Sequence, residues 1–128
     1  MKPSGPIPPD YQARDGQLLI GGETAEALIA RAGDTPLFVY DMAVVRDRVA
    51  RLRAALPDGV AVHYALKANP YPPLLAAMAG LVDGMDVASA GEMALALGTG
   101  GAGGALSFAG PGKRDRELEA AIAAGVPL

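Results

Sequence analysis

The 128-residue sequence predicts an α/β fold: a partial (β/α)8 barrel of the TIM type, its first three to four βα units built on parallel strands, after a short N-terminal segment. Three observations carry this expectation. From residue 60 onward, apolar stretches of strand length alternate with stretches of helical length. Glycine or proline stands at most of the joints between them. Two ionisable residues, Lys67 and Asp86, fall near the C-terminal ends of successive strands, where barrels of this class carry their chemistry.

The elements follow in order. Residues 1–33 read as an extended leader, in which Pro3, Pro6, Pro8 and Pro9 block regular structure, followed by a short helix. That helix is capped by Thr24 and closed by Gly33. Residues 34–128 read as the barrel portion. Its entry, Pro36 to Tyr40, is β-branched and aromatic, which predicts a strand. Asp41 caps a helix whose apolar positions Val45, Val49, Leu52 and Leu56 recur at steps of four, three and four. Its arginines occupy the remaining faces, as on a solvated helix. A strand is expected over 60–66, and a helix opened by Pro72-Pro73 and ended by Gly80. A second strand over 84–88 is followed by a helix from Ser89 to Leu97. A third strand over 105–109 is followed by a helix from about Asp115 to Ala124. Residues 126–128 begin a further element.

Composition excludes several functions. Fourteen acidic against eleven basic residues give a net charge of −3, without the basic face that nucleic-acid binding requires. With no cysteine and one histidine, disulfides and thiolate metal sites are excluded and a zinc site is not expected. The start of the chain lacks the apolar stretch of a signal peptide, and no run approaches the roughly 20 apolar residues of a membrane span. A cytoplasmic protein with no membrane partner is the expectation. The apolar share of 51% supports a folded core.

Strand alternation sorts the candidate site residues. Val60, Val62, Tyr64 and Leu66 share one face and Ala61, His63, Ala65 and Lys67 the other. The bulky set belongs against helices, so Lys67 emerges on the inner face at the strand's C-terminal end. Met85 and Val87 alternate with Asp86, which places that carboxylate inward as well. His63 is expected to be a packing residue rather than a base. Ser89 and Glu92 fit a capping box, so Glu92 is a candidate for a structural and a site role alike. Asn69 is expected to shape the loop after the lysine, and Lys113 and Arg114 to form a solvated helix entrance. The run 98–103 satisfies G-x-G-x-x-G, but it follows a helix and precedes a strand. That is the reverse of the order a dinucleotide site needs, so a flexible connector is expected.

Four blocks carry a resemblance to a known family. TPLFVYD (35–41), YALKANP (64–70), DVASAGEM (86–93) and SFAGPGK (107–113) followed by Glu117-Leu118 resemble, in order and spacing, blocks of the alanine-racemase-like barrel decarboxylases. Those enzymes act on diaminopimelate, ornithine, arginine and related amino acids. The wording SFAGPGK and LVDGMDVASAGEM is most similar to decarboxylases associated with exopolysaccharide and exosortase gene systems. Alanine racemases share the barrel, but their lysine block reads KADAYGHG, so YALKANP speaks for decarboxylation.

The resemblance implies pyridoxal 5'-phosphate as cofactor, with Lys67 as the amine that bonds to it and Asp86 and Glu92 as further cofactor-site residues. It also implies a small amino-acid substrate and a homodimeric full-length protein. Because the family's proteins are longer, the chain reads as an N-terminal fragment with little or no catalysis by itself. Its alternatives are a non-catalytic cofactor binder, a half-barrel that associates with another polypeptide, or an alanine-racemase-like enzyme.

Overall fold

The computed structural model describes residues 10–101 and 103–127; most of the proline-rich leader, Ala102 and Leu128 lie outside the described residues. The chain divides into two compact units, Met1–Ala50 and Arg51–Leu128.

In the first unit, β1 (Gln12–Arg14), β2 (Gln17–Ile20) and β3 (Glu23–Thr24) form an antiparallel sheet. The stretch to residue 16, expected as an extended leader, folds back instead. Two-residue turns cause this: Asp15 and Gly16 have φ of 51° and 76°, and Gly21 and Gly22 have 60° and 83°. Positive φ at both central residues matches the right-handed twist of the flanking strands. Helix α1 (Ala25–Ala32) starts where Thr24 Oγ1 accepts from Ala27 N–H at 3.3 Å, and it ends on Gly33 at φ 86°. Leu19 of β2 and Leu28 of α1 are buried.

Residues 36–40 form no strand, and Phe38 is 87% exposed. Their side chains favour extended backbone, but no described strand offers them a ladder. Helix α2 (Met42–Ala55) begins at Asp41, whose Oδ1 accepts from Ala43 N–H (2.9 Å) and Val44 N–H (3.4 Å). No residue of α2 is fully buried, and Arg48 pairs with Asp10.

The second unit holds the βα repeat. Strands β4 (His63–Ala65), β5 (Gly84–Val87) and β6 (Leu106–Phe108) pair in parallel in that order. Helices α3 (Pro72–Ala79) and α4 (Ala90–Leu97) make the crossovers, and α5 (Asp115–Ala123) follows β6. This is the partial (β/α)8 architecture the alternation predicts. Leu66, Leu75, Met85, Val87, Met93 and Leu106 lead its core with Tyr64 packed against it, but β4 is shorter than the expected strand over 60–66, and Val60 ahead of it is 47% exposed.

Arg53 ties the lower edge of the sheet. Its guanidinium donates to both Asp83 oxygens (2.9 and 3.0 Å) and to Leu81 O (3.1 Å), while Asp83 Oδ2 also accepts from Val62 N–H (2.7 Å). The Arg53 hydrogen bonds, then the Val62 amide, hold the Asp83 carboxyl below its ordinary value.

The glycine run closes α4 and leads into a 3-10 turn, Gly103–Ala105, ahead of β6. Its end is pinned rather than free: a Cβ on Gly103 would lie 1.7 Å from Ala124 O, whereas one on Gly104 meets nothing within 4 Å. Among the described residues no helix is long and apolar enough to cross a membrane. Gly103→Ala should therefore destabilise the chain by about 1–3 kcal/mol through forced backbone movement. Gly104→Ala should not destabilise it, the comparison being made by denaturant unfolding.

Candidate functional site

The strand register decides which inner-face residues meet. Ala65 pairs with Asp86 and Asp86 with Ser107, so the three sit on one level across β4, β5 and β6. One rung lower, His63 pairs with Gly84. Ser107 Oγ donates to Asp86 Oδ1 at 2.8 Å, and His63 Nδ1 lies 3.1 Å from the same hydroxyl. A chain of three polar side chains thus spans the three strands. His63 is exposed on one side, while its ring packs against Gly84 and its Nδ1 contacts Ser107, so it combines the expected packing with a hydrogen bond. Ser107 is the functional candidate that sequence reasoning passed over. Its signal was weak, because only the sheet register brings a residue 44 positions away to His63.

Lys67 lies just past β4 rather than within it, in the 3-10 turn Leu66–Ala68. Leu66 is fully buried and anchors the turn, while Lys67 is exposed. Among the described residues none accepts a hydrogen bond from its amine. The loop beyond is fixed by Asn69, whose Oδ1 accepts from Tyr71 N–H and whose carbonyl accepts from Tyr64 Oη–H, both at 3.1 Å. This is the loop-shaping role expected of Asn69. Lys113 is occupied differently. Its ammonium donates to Gly110 O at 3.0 Å and lies 5.2 Å from the Phe108 ring centroid, within cation–π range. It is thus an anchor of the loop after β6, not a freely solvated entrance residue.

The loops at the C-terminal ends of β5 and β6 are held by carboxylates. Ser89 Oγ accepts from Glu92 N–H (3.2 Å), and Glu92 Oε2 accepts from Ala88 N–H (2.8 Å), one residue before the usual capping-box partner. Glu92 therefore has the structural role, which leaves its Oε1 without a partner among the described residues. Glu117 Oε1 accepts from Ala90 N–H and Oε2 from Arg114 N–H, both at 3.1 Å, so one side chain caps α4 and α5 together. The Ala90 and then the Arg114 amide hold its carboxyl below the ordinary 4.5. Gly110, at φ 116°, lets the loop after β6 approach Ala88 O, which a Cβ would meet at 3.0 Å.

An open primary amine at the end of β4 and a fixed carboxylate on the inner face of β5 form a donor set suited to an aldehyde cofactor. An anionic group would find no carboxylate among Lys67's hydrogen-bond partners. The open amine of Lys67 fits the aldehyde of pyridoxal phosphate. Lys67 would hold it covalently, and Asp86 and Glu92 each retain an oxygen able to accept from it.

Parallel βα units with ionisable groups near the C-terminal ends of the strands are the arrangement found in part of a (β/α)8 barrel. Comparison with known proteins makes this specific. Residues 42–128 match the family described as pyridoxal-dependent decarboxylase, pyridoxal binding domain. The chain belongs to this family. It is 37% identical over 114 residues to a diaminopimelate decarboxylase of Aquifex aeolicus, covering 89% of this chain and 27% of that protein. It is 40% identical over 93 residues to a lysine/ornithine decarboxylase of Selenomonas ruminantium, covering 73% and 23%. A crystal structure of an Aquifex aeolicus protein superposes with a TM-score of 0.82 at 36% identity, covering 92% of this chain and 29% of that one. The chain thus spans about a quarter of the length of these curated relatives.

The capping carboxylates predict acid lability. Glu117 and Asp83 have lowered values in the folded chain, so their contribution is full above the unfolded-state values near 4 and is lost as pH falls through the lowered ones. Glu117→Gln should flatten the decline of stability below about pH 4.5, measured by denaturant titration across pH.

Proposed function

We propose that Lys67 carries pyridoxal phosphate and that the protein containing this chain decarboxylates an amino acid of the diaminopimelate or ornithine type. The observation that carries this reading is the contrast between the two described lysines. Lys113 is committed to Gly110 O and the Phe108 ring, whereas Lys67 is an uncommitted amine at the C-terminal end of β4, two residues past the register partner of Asp86. Family membership and the similarity to diaminopimelate and lysine/ornithine decarboxylases support it.

When bound, the cofactor's ring supplies an electron sink for the pair left behind as carbon dioxide departs. The chain's own residues do the rest. Lys67 would supply the primary amine that holds the cofactor, and a base or acid at the same edge of the sheet. Asp86, fixed through Oδ1, presents Oδ2 at the level of Ala65. Glu92 holds the loop after β5 and keeps Oε1 for the cofactor. The wording of SFAGPGK and LVDGMDVASAGEM supports a place in the exosortase-associated subgroup, and the family resemblance supports a homodimer as the whole protein's assembly.

The sequence has three lysines, Lys2, Lys67 and Lys113, so labelling is decisive. Borohydride reduction in the presence of pyridoxal phosphate, followed by peptide mapping, should place the adduct on Lys67, and Lys67→Ala should lose it. In the full protein the same variant should stop carbon dioxide release from diaminopimelate, ornithine and lysine. An adduct confined to Lys2 or Lys113 would overturn the assignment.

A further inference from the structure

We propose that His63 and Ser107 are positioning residues for Asp86, acting as one hydrogen-bonded relay across β4, β5 and β6. The inference rests on the reading that Asp86 faces the cofactor and deepens it. Neither His63 nor Ser107 has a role in the chemistry described above.

The direction of the relay follows from its donors. An ionised carboxylate only accepts, so the single proton of Ser107 goes to Asp86 Oδ1 at 2.8 Å. The hydroxyl oxygen must then accept from its other neighbour, which requires a proton on His63 Nδ1, 3.1 Å away. His63 therefore turns Ser107 toward Asp86, and Ser107 fixes one carboxylate oxygen while the other stays open among the described residues.

A second feature prepares the seat for the imidazole. Gly84 is the register partner of His63, and a Cβ there would lie 2.7 Å from both Cε1 and Nε2 of the ring. The ring rests against bare backbone, so its position is set by the sheet as well as by Ser107. The imidazole on β4, the glycine and carboxylate on β5 and the serine on β6 meet only because the three strands are in parallel register. Freely rotating, the carboxylate of Asp86 would have to be ordered when the cofactor binds; held in advance, it need not be.

Two measurements test this. In the unmodified full protein without cofactor, nitrogen NMR of the imidazole, assigned by the signals lost in His63→Phe, should show neutral His63 protonated at Nδ1. Ser107→Ala should return it to the Nε2 form usual in water. A neutral ring protonated at Nε2 in the unmodified protein would overturn the relay whether or not any variant folds. In the loaded protein, Ser107→Ala should leave borohydride labelling of Lys67 intact while weakening cofactor retention on the order of tenfold, as loss of a hydrogen bond to a charged group implies. Ser107→Thr, which keeps the hydroxyl, should retain it. Equal retention in the Ala and Thr variants would overturn the inference while the assignment of Lys67 stands. Failure to label Lys67 at all would instead remove the functional reading beneath it.

Discussion

The parallel register of three short strands is the constraint on which the rest of this structure depends. Ala65, Asp86 and Ser107 are paired rung for rung, and period-2 alternation then sends Met85 and Val87 to the helices and Asp86 to the opposite face. A one-residue slip of β5 would bury the carboxylate and expose two core side chains. Because Met85 and Val87 are 4% and 0% exposed, burial of roughly 1.5–3 kcal/mol for each side chain opposes that slip. Hydrophobic packing on one face thereby fixes polar geometry on the other.

The ends of the sheet are stiffened by different means. At the lower edge, Asp83 receives Arg53 and the Val62 amide, fastening the last turn of α2 to the start of the strands. At the upper edge, where barrels carry their chemistry, Ser89, Glu92 and Glu117 satisfy amides that helix starts leave unpaired. Glu117 spans two βα units by accepting from one amide at each helix start. The loops bearing the candidate site are thus set by backbone hydrogen bonds, which suits a site that must hold its geometry.

Much of this was legible in the sequence, because it rests on local signals. The βα rhythm, the caps Thr24, Asp41 and Ser89, the inward direction of Asp86 and the burial of Leu66 all follow from periodicity and capping chemistry. Several expectations gave way. Asp15-Gly16 and Gly21-Gly22 are hairpin turn signals, and reading prolines alone obscured the sheet they build. PLFVY has strand propensity, but propensity without a partner strand makes no strand. Lys67 lies in a 3-10 turn beyond the ladder, which ends at Ala65, with Leu66 buried between them. The relay from His63 through Ser107 was the least visible part. It joins residues whose adjacency exists only once β4, β5 and β6 are in register, and no local pattern encodes that.

A crystal structure of the full protein grown with pyridoxal phosphate shows which amine holds the cofactor. Continuous electron density between Lys67 Nζ and the cofactor is expected, with Asp86 beside it on the inner face of β5. Density joining the cofactor to a different amine, or a cofactor lying away from the C-terminal ends of β4 and β5, would contradict it.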